Sequence, residues 1–265
     1  MSSVSMAFFR RDALIFASYR TSVLSFVFGG AVLLGVVYFV GHAVKADSEH
    51  LDKYGGDYVA FLLAGFAFSD LFGRGLSSLP ANLREQQQSG TLEPLLVTPL
   101  ALTELVIGSS LFMLAQSIVR AGLMLAFGAL ALGFWHDANF ASLAIVLLPA
   151  MVAMFALGLL FSAFVILIKQ ADPVISAYNL ASAVLGGVLF PVQALPIWIG
   201  VFAWVFPLSH ALSGVRLALV GEPPSEVLAP AIALTVLAAL LLPASIFAFR
   251  YSLTRAKKEG TLVQY

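Results

Sequence analysis

Runs of apolar residues long enough to cross a bilayer recur along this chain, separated by short polar stretches. Blocks such as Val23–Val40 and Leu143–Ile168 are continuous, whereas a transmembrane barrel shows alternating apolar and polar residues in strands of about 10 residues. The pattern therefore predicts an all-α integral membrane protein, each span needing about 20 apolar residues to cross roughly 30 Å of hydrocarbon. Six spans are expected, over about Ser22–Val40, Tyr58–Leu79, Leu105–Phe134, Phe140–Ile168, Val174–Leu189 and Val227–Phe249. Residues 6–21 mix Phe8, Phe9, Leu14, Ile15 and Phe16 with Arg10, Arg11, Asp12 and Arg20, which suits an amphipathic helix at the membrane surface. The first span exceeds the roughly 7–15 apolar residues of a secretory leader, so cleavage near Val44-Lys45-Ala46 is not expected. With no visible repeat or linker, residues 1–265 read as one transmembrane domain.

Two segments depart from the pattern. Residues 81–103 contain the polar run Arg84-Glu85-Gln86-Gln87-Gln88-Ser89-Gly90-Thr91-Leu92-Glu93, followed by Pro94 and Pro99. Leu92, Leu95 and Leu96 stand at i, i+3 and i+4, one face of a short helix. An apolar face on an otherwise polar loop needs either the membrane surface or a protein groove. Residues 190–224 are apolar but broken by Pro191, Pro196, Pro207, Pro223 and Pro224. Prolines interrupt the helical hydrogen-bond ladder, so short re-entrant or interfacial helices are expected there rather than a clean crossing.

Composition supports this class and narrows the function. The chain is 60% hydrophobic and 11% charged with a mean hydropathy of +0.97, against about 25% charged residues in soluble domains. Without cysteine there is neither disulfide nor thiolate chemistry. A net charge of zero removes any overall attraction to nucleic acid. The distribution of charge is informative: Arg10, Arg11, Arg20, Arg84, Lys169, Arg250, Arg255, Lys257 and Lys258 fall on one side of the six spans, and only Lys45, Lys53 and Arg216 on the other. The positive-inside bias places both termini and the 81–103 segment in the cytoplasm. Trp135 is expected at the opposite interface.

The segment between spans two and three resembles that of a known family, the membrane permease subunits of type-2 ABC transporters, which carry a pattern close to R-E-x-x-x-G-T-L-E-x-L-L-x-T-P. The matching residues are Arg84-Glu85, Gly90-Thr91-Leu92-Glu93, Leu95-Leu96 and Thr98-Pro99, with four residues between Glu85 and Gly90 and a proline at 94 as departures. Phe190-Pro191, Leu195-Pro196, Pro207-Leu208-Ser209-His210 and Arg216 are similar to the family's pattern before its last span. The resemblance implies a cytoplasmic coupling helix that docks on a separate ATPase, contacted by Arg84, Glu85, Gly90, Thr91, Leu92, Glu93 and Leu95. It also implies an extracytoplasmic re-entrant helical hairpin containing Phe190, Pro191, Pro196, Pro207, His210 and Arg216.

The same resemblance implies an exporter in the bacterial cytoplasmic (inner) membrane. Two copies of the ATPase, carrying ATP and Mg, would drive two permeases, a homodimer being expected. Its cargo would be amphipathic or lipid-linked, such as a lipo-oligosaccharide, polysaccharide, lipid or drug. The chain has no G-x-x-x-x-G-K-[ST] loop of its own. No metal-ligand set, paired carboxylates or Ser/His/Asp arrangement marks it as an enzyme, and no catalytic or metal residue is assigned.

Ionisable groups at membrane depth are costly and stand as functional candidates by default. Asp70 and Arg74 are four apart on the second span, hence on one helix face, and read first as a local ion pair. Arg120, with Gln116 one turn before it, is open between pairing with Asp70, a dimer interface and a substrate path. The rival reading is a stand-alone secondary transporter of a small hydrophobic substrate. That would call for ion-binding carboxylates near the midplane and repeated halves, and the chain offers Asp70 alone.

Overall fold

The computed structural model describes residues 3–43, 49–88, 102–135, 137–168 and 172–259, all helix or connecting turn with no strand among them. The helices are α1 Ser3–Ser18, α2 Arg20–Ala43, α3 Glu49–Asp52, α4 Tyr58–Gln88, α5 Leu102–Ala131, α6 Phe140–Ile168, α7 Asp172–Leu185, α8 Ile197–Ala203, α9 Pro207–Leu219 and α10 Pro224–Glu259. A 3-10 turn, Val192–Ala194, precedes α8.

Local chemistry explains where several helices start. Asp57 caps α4, its Oδ1 accepting from the amides of Val59 at 2.8 Å and Ala60 at 3.1 Å. Asn139 caps α6 in the same way, accepting from Ala141 and Ser142 at 3.1 Å. Pro191 and Pro196 stand immediately before the 3-10 turn and α8, and Pro207 and Pro224 are the first residues of α9 and α10. The prolines of this region therefore start helices as well as break them, because proline lacks a donor that the first turn does not use. Pro80, Pro149, Pro230 and Pro243 lie inside long helices, which neighbouring helices make tolerable in membrane spans.

Helices α2, α4, α5, α6 and α10 are long and apolar enough to cross a membrane. Burial ranks them: 67% of the apolar window of α4 and 61% of that of α6 are buried, against 22% for α5 and α10 and 6% for α2. Two central helices are thus wrapped by peripheral ones, and α2 is left almost bare. Gly158 of α6 makes the central contact close, since a Cβ there would stand 2.9 Å from the carbonyl of Leu76 on α4. Small residues allow such backbone approach in membranes.

The ends of the bundle are chemically distinct. The start of α4 at Tyr58 lies beside Gly41 near the end of α2, since a Cβ on that glycine would come within 2.6 Å of Val59. Acidic Asp52, Asp57, Asp137, Glu222 and Glu226 gather at this Tyr58 end. The other end, where α4 reaches Arg84, carries Arg10, Arg11, Arg20, Arg250, Arg255 and Lys258. There α1 packs on α5 through Phe9 and Phe16, whose rings lie 5.8 and 5.6 Å from Phe112.

Two sequence expectations change. The second span runs on as helix to Gln88 rather than stopping at Leu79, because Leu76, Leu79 and Leu83 continue one buried stripe through Pro80. The expected fifth span, Val174–Leu189, is helical only as α7, whose 14 residues cover about 21 Å. It ends where Gly187 takes φ 78° and the Val188 amide donates back to Ala183 at 3.3 Å, a left-handed C-terminal stop. Trp135, also at positive φ (59°), folds its ring back over Gly128, where a Cβ would meet it at 2.5 Å. The half-buried ring packs against the core at the Tyr58 end of the bundle.

Candidate functional site

Asp70 lies about 18 Å along α4 from Tyr58, and Arg120 about 17 Å along α5 from Ala131. Since α5 ends and α4 begins at the same end of the bundle, the two residues share a level along it, well inside both apolar helices. There they meet. The Arg74 Nε donates to Asp70 Oδ1 at 2.9 Å, and Arg120 Nη1 stands 3.9 Å from the same oxygen. The Arg120 guanidinium also lies 4.7 Å above the ring of Phe26 on α2, a favourable cation–π arrangement where water is scarce.

One carboxylate therefore faces two guanidinium groups, and the cluster carries an excess positive charge. The Arg120 side chain is 13% exposed and Arg74 44% exposed, so Arg120 is packed behind Asp70 while Arg74 opens outward. Arg74 faces a groove of about 390 Å³ lined by Leu33 of α2, Phe66, Ser69, Gly73 and Ser77 of α4, and Asn179 of α7. Asn179 donates to Ser77 at 3.2 Å across that groove. No hydrogen bond joins Gln116 to the cluster among the described residues, so the expected grouping holds for Asp70, Arg74 and Arg120 only.

Arg216 occupies a second charged position, on α9, and is 4% exposed. Its Nη1 donates to Gly187 O at 2.8 Å, and its Nη2 to Phe61 O at 3.1 Å and Val188 O at 3.2 Å. The guanidinium stacks 3.4 Å from the Phe61 ring centroid. The carbonyls released where α7 stops are thus satisfied by an arginine from α9, which ties α7, α9 and α4 together. Gly65 makes room for this, since its Cβ would fall 2.5 Å from Arg216 Nη2.

The other predicted residues of the 190–224 segment have structural partners. His210 Nε2 lies 3.0 Å from the Trp204 carbonyl and its ring 5.3 Å from that tryptophan's. Pro191 and Pro207 are buried, Phe190 half-buried and Pro196 exposed. Helices α8 and α9 meet at 91°. The chain enters this segment where Tyr58 donates to Leu189 O at 2.9 Å and Gln193 to Tyr54 at 3.4 Å. It leaves where Asn139 N donates to Ala218 O and Ser142 Oγ to Glu222 O, both at 2.8 Å.

Among the predicted docking residues, Arg84 and Glu85 are in the last turns of α4, and Arg84 forms an ion pair with Asp172 at the start of α7. Gly90, Thr91, Leu92, Glu93 and Leu95 lie outside the described residues. Sequence reasoning missed Phe26, Asn179, Tyr54 and Tyr58. No periodicity marks them, because each acts through a partner on a different segment of the chain.

This architecture, with its charged core between apolar helices, is that of a multi-pass helical membrane protein. Residues 85–220, just over half of the chain, match the family model for the ABC-2 type transporter, and the chain belongs to that family. It is also 28% identical over 127 residues, 48% of its length, to the "Probable multidrug ABC transporter permease YbhR" of Escherichia coli K12. The protein of the same name from Escherichia coli O157:H7 matches equally well. The match takes in 34% of the length of each relative.

Proposed function

We propose that this chain is the permease subunit of an ATP-driven exporter in a bacterial inner membrane, with the Arg84 end and both termini in the cytoplasm. The observation that carries the reading is the family match, which runs from the end of α4 through α9. The gathering of basic residues at the Arg84 end supports the orientation.

In this reading the 81–103 segment is a coupling element that sits in a groove of a separate ATPase. Arg84, Glu85, Gly90, Thr91, Leu92, Glu93 and Leu95 supply the contact, and two ATPases carrying ATP and Mg drive a homodimer of permeases. The Arg84–Asp172 ion pair gives movement of that segment a direct route to α7. The other end of the α7 segment is held to Tyr58 through Leu189 and to Arg216 through the Gly187 turn. Residues 172–189 then form the fifth crossing, a short helix that ends in the Gly187 turn. The segment 190–224 enters and leaves at the Tyr58 end as a re-entrant hairpin. The cargo is an amphipathic or lipid-linked molecule, and the YbhR relative's name makes a drug one member of that class.

The test is co-purification of the full chain from membranes with candidate ABC ATPases, comparing the native protein with Gly90→Trp and Glu93→Arg. Retention of an ATPase by the native chain and its loss from both variants is expected. A properly folded native chain that retains none of them would sink the coupling argument.

A further inference from the structure

We infer that the Asp70–Arg74–Arg120 cluster is an anion site that selects cargo carrying a negatively charged head group. This rests on the permease reading and names the charge of the substrate. Asp70 neutralises one guanidinium; the other has no carboxylate of its own among the described residues. A net cation well inside an apolar span is unfavourable unless water or a counter-ion meets it. Arg74 spends its Nε on Asp70 and lines the groove, whose Ser69, Ser77 and Asn179 add polar groups.

Among its described residues, a second copy of the chain offers no carboxylate suited to supply the missing charge. Asp12 of α1 pairs with Arg11, the other acidic residues besides Asp70 fall near a helix end or in a connecting segment, and the copy's own Asp70 faces the same two arginines. Among the described residues no further carboxylate meets the cluster, and an external anion fills that role. The surroundings also define what carries it: Leu33 and Phe66 line the same groove, and the neighbouring α2 exposes Val32, Val36 and Phe39 along its length. A charged head with an apolar chain fits both parts, with the head on Arg74 and the chain along α2. A guanidinium binds carboxylate or phosphate through two parallel hydrogen bonds, so either head group satisfies the site.

The experiment uses the purified full chain in dodecyl maltoside and a fluorescent probe, dansyl-undecanoate, with its uncharged methyl ester as comparison. The native chain is expected to bind the carboxylate roughly tenfold more tightly than the ester. Arg74→Gln is expected to abolish that preference, and Arg120→Gln to reduce it. Asp70→Asn should strengthen binding of the carboxylate, because it removes the competing anion. Thermal unfolding of each variant identifies any that fails to fold, and Asp70→Asn provides an arm of opposite sign. Equal affinity of the native chain for acid and ester would overturn the proposal, as would loss of preference in a folded Asp70→Asn variant. Displacement of the probe by inorganic phosphate as readily as by laurate would overturn the amphiphile as occupant. Failure here leaves the ATPase co-purification result standing, since that experiment reads the 81–103 segment.

Discussion

Replacing Gly65 by alanine tests how α4, α7 and α9 are joined, because two physical arguments give opposite signs. Gly65 lies inside α4, where alanine in place of glycine stabilises a helix by about 1 kcal/mol. In the folded protein, however, the added Cβ would stand 2.5 Å from Arg216 Nη2 and 2.6 Å from Val188 O. Neither neighbour is free to yield. Arg216 is held by three carbonyls, and Val188 follows the turn that ends α7.

Displacing Nη2 breaks its bonds to Phe61 O and Val188 O, each worth about 1.5–3 kcal/mol for a charged donor. Set against the propensity gain, the net is a loss of about 2–5 kcal/mol. That corresponds to a fall of roughly 5–15 °C in the midpoint of thermal unfolding for a chain of this size. The assay is tryptophan fluorescence of the detergent-solubilised protein during heating. Gly122→Ala is the control, since nothing lies within 4 Å of that Cβ, and it should be neutral or slightly stabilising. If Gly65→Ala unfolds at or above the midpoint of Gly122→Ala, the assignment of Arg216 as the fastener of the α7 turn is wrong.

Other perturbations have smaller or differently placed effects. Asp57→Ala removes the acceptor for two α4 amides and should cost about 1 kcal/mol in the same assay; no change would mean the cap is dispensable. The Arg84–Asp172 pair is 25% and 59% exposed, so a double-mutant cycle with Arg84→Ala and Asp172→Ala should give a coupling below about 1 kcal/mol. A larger value would show that the pair is shielded from water. Gly158→Val forces a branched side chain against the Leu76 carbonyl and should lower stability by about 1–3 kcal/mol. A variant as stable as the native protein would show that α4 and α6 can separate freely.

Much of the membrane architecture follows from local pattern. Apolar run length places the cores of α2, α4, α5, α6 and α10, because crossing hydrocarbon demands that length whatever the neighbours do. Four-residue spacing brings Asp70 and Arg74 together for the same reason: both are on one helix, and the helix repeat is fixed. The short α7 was harder to read. Its hydrophobicity continues through Gly186 and Gly187 to Leu189, and only the left-handed turn at Gly187 shows that the helix has ended.

The amino-acid sequence by itself determined that this is a helical membrane protein, which end gathers the basic residues, and that Asp70, Arg74 and Arg120 lie far from the helix ends. Those properties depend on run length, charge and the 3.6-residue repeat. Tertiary structure alone decided that Arg120 reaches Asp70 across a helix boundary, that Phe26 and Asn179 join the same neighbourhood, and that Arg216 closes the α7 turn. Which faces meet depends on the rotation and depth of each helix against its neighbours, set by close contacts such as those at Gly65 and Gly158. Hydrophobic periodicity cannot supply that rotation in a bilayer, where lipid-facing and protein-facing surfaces are both apolar.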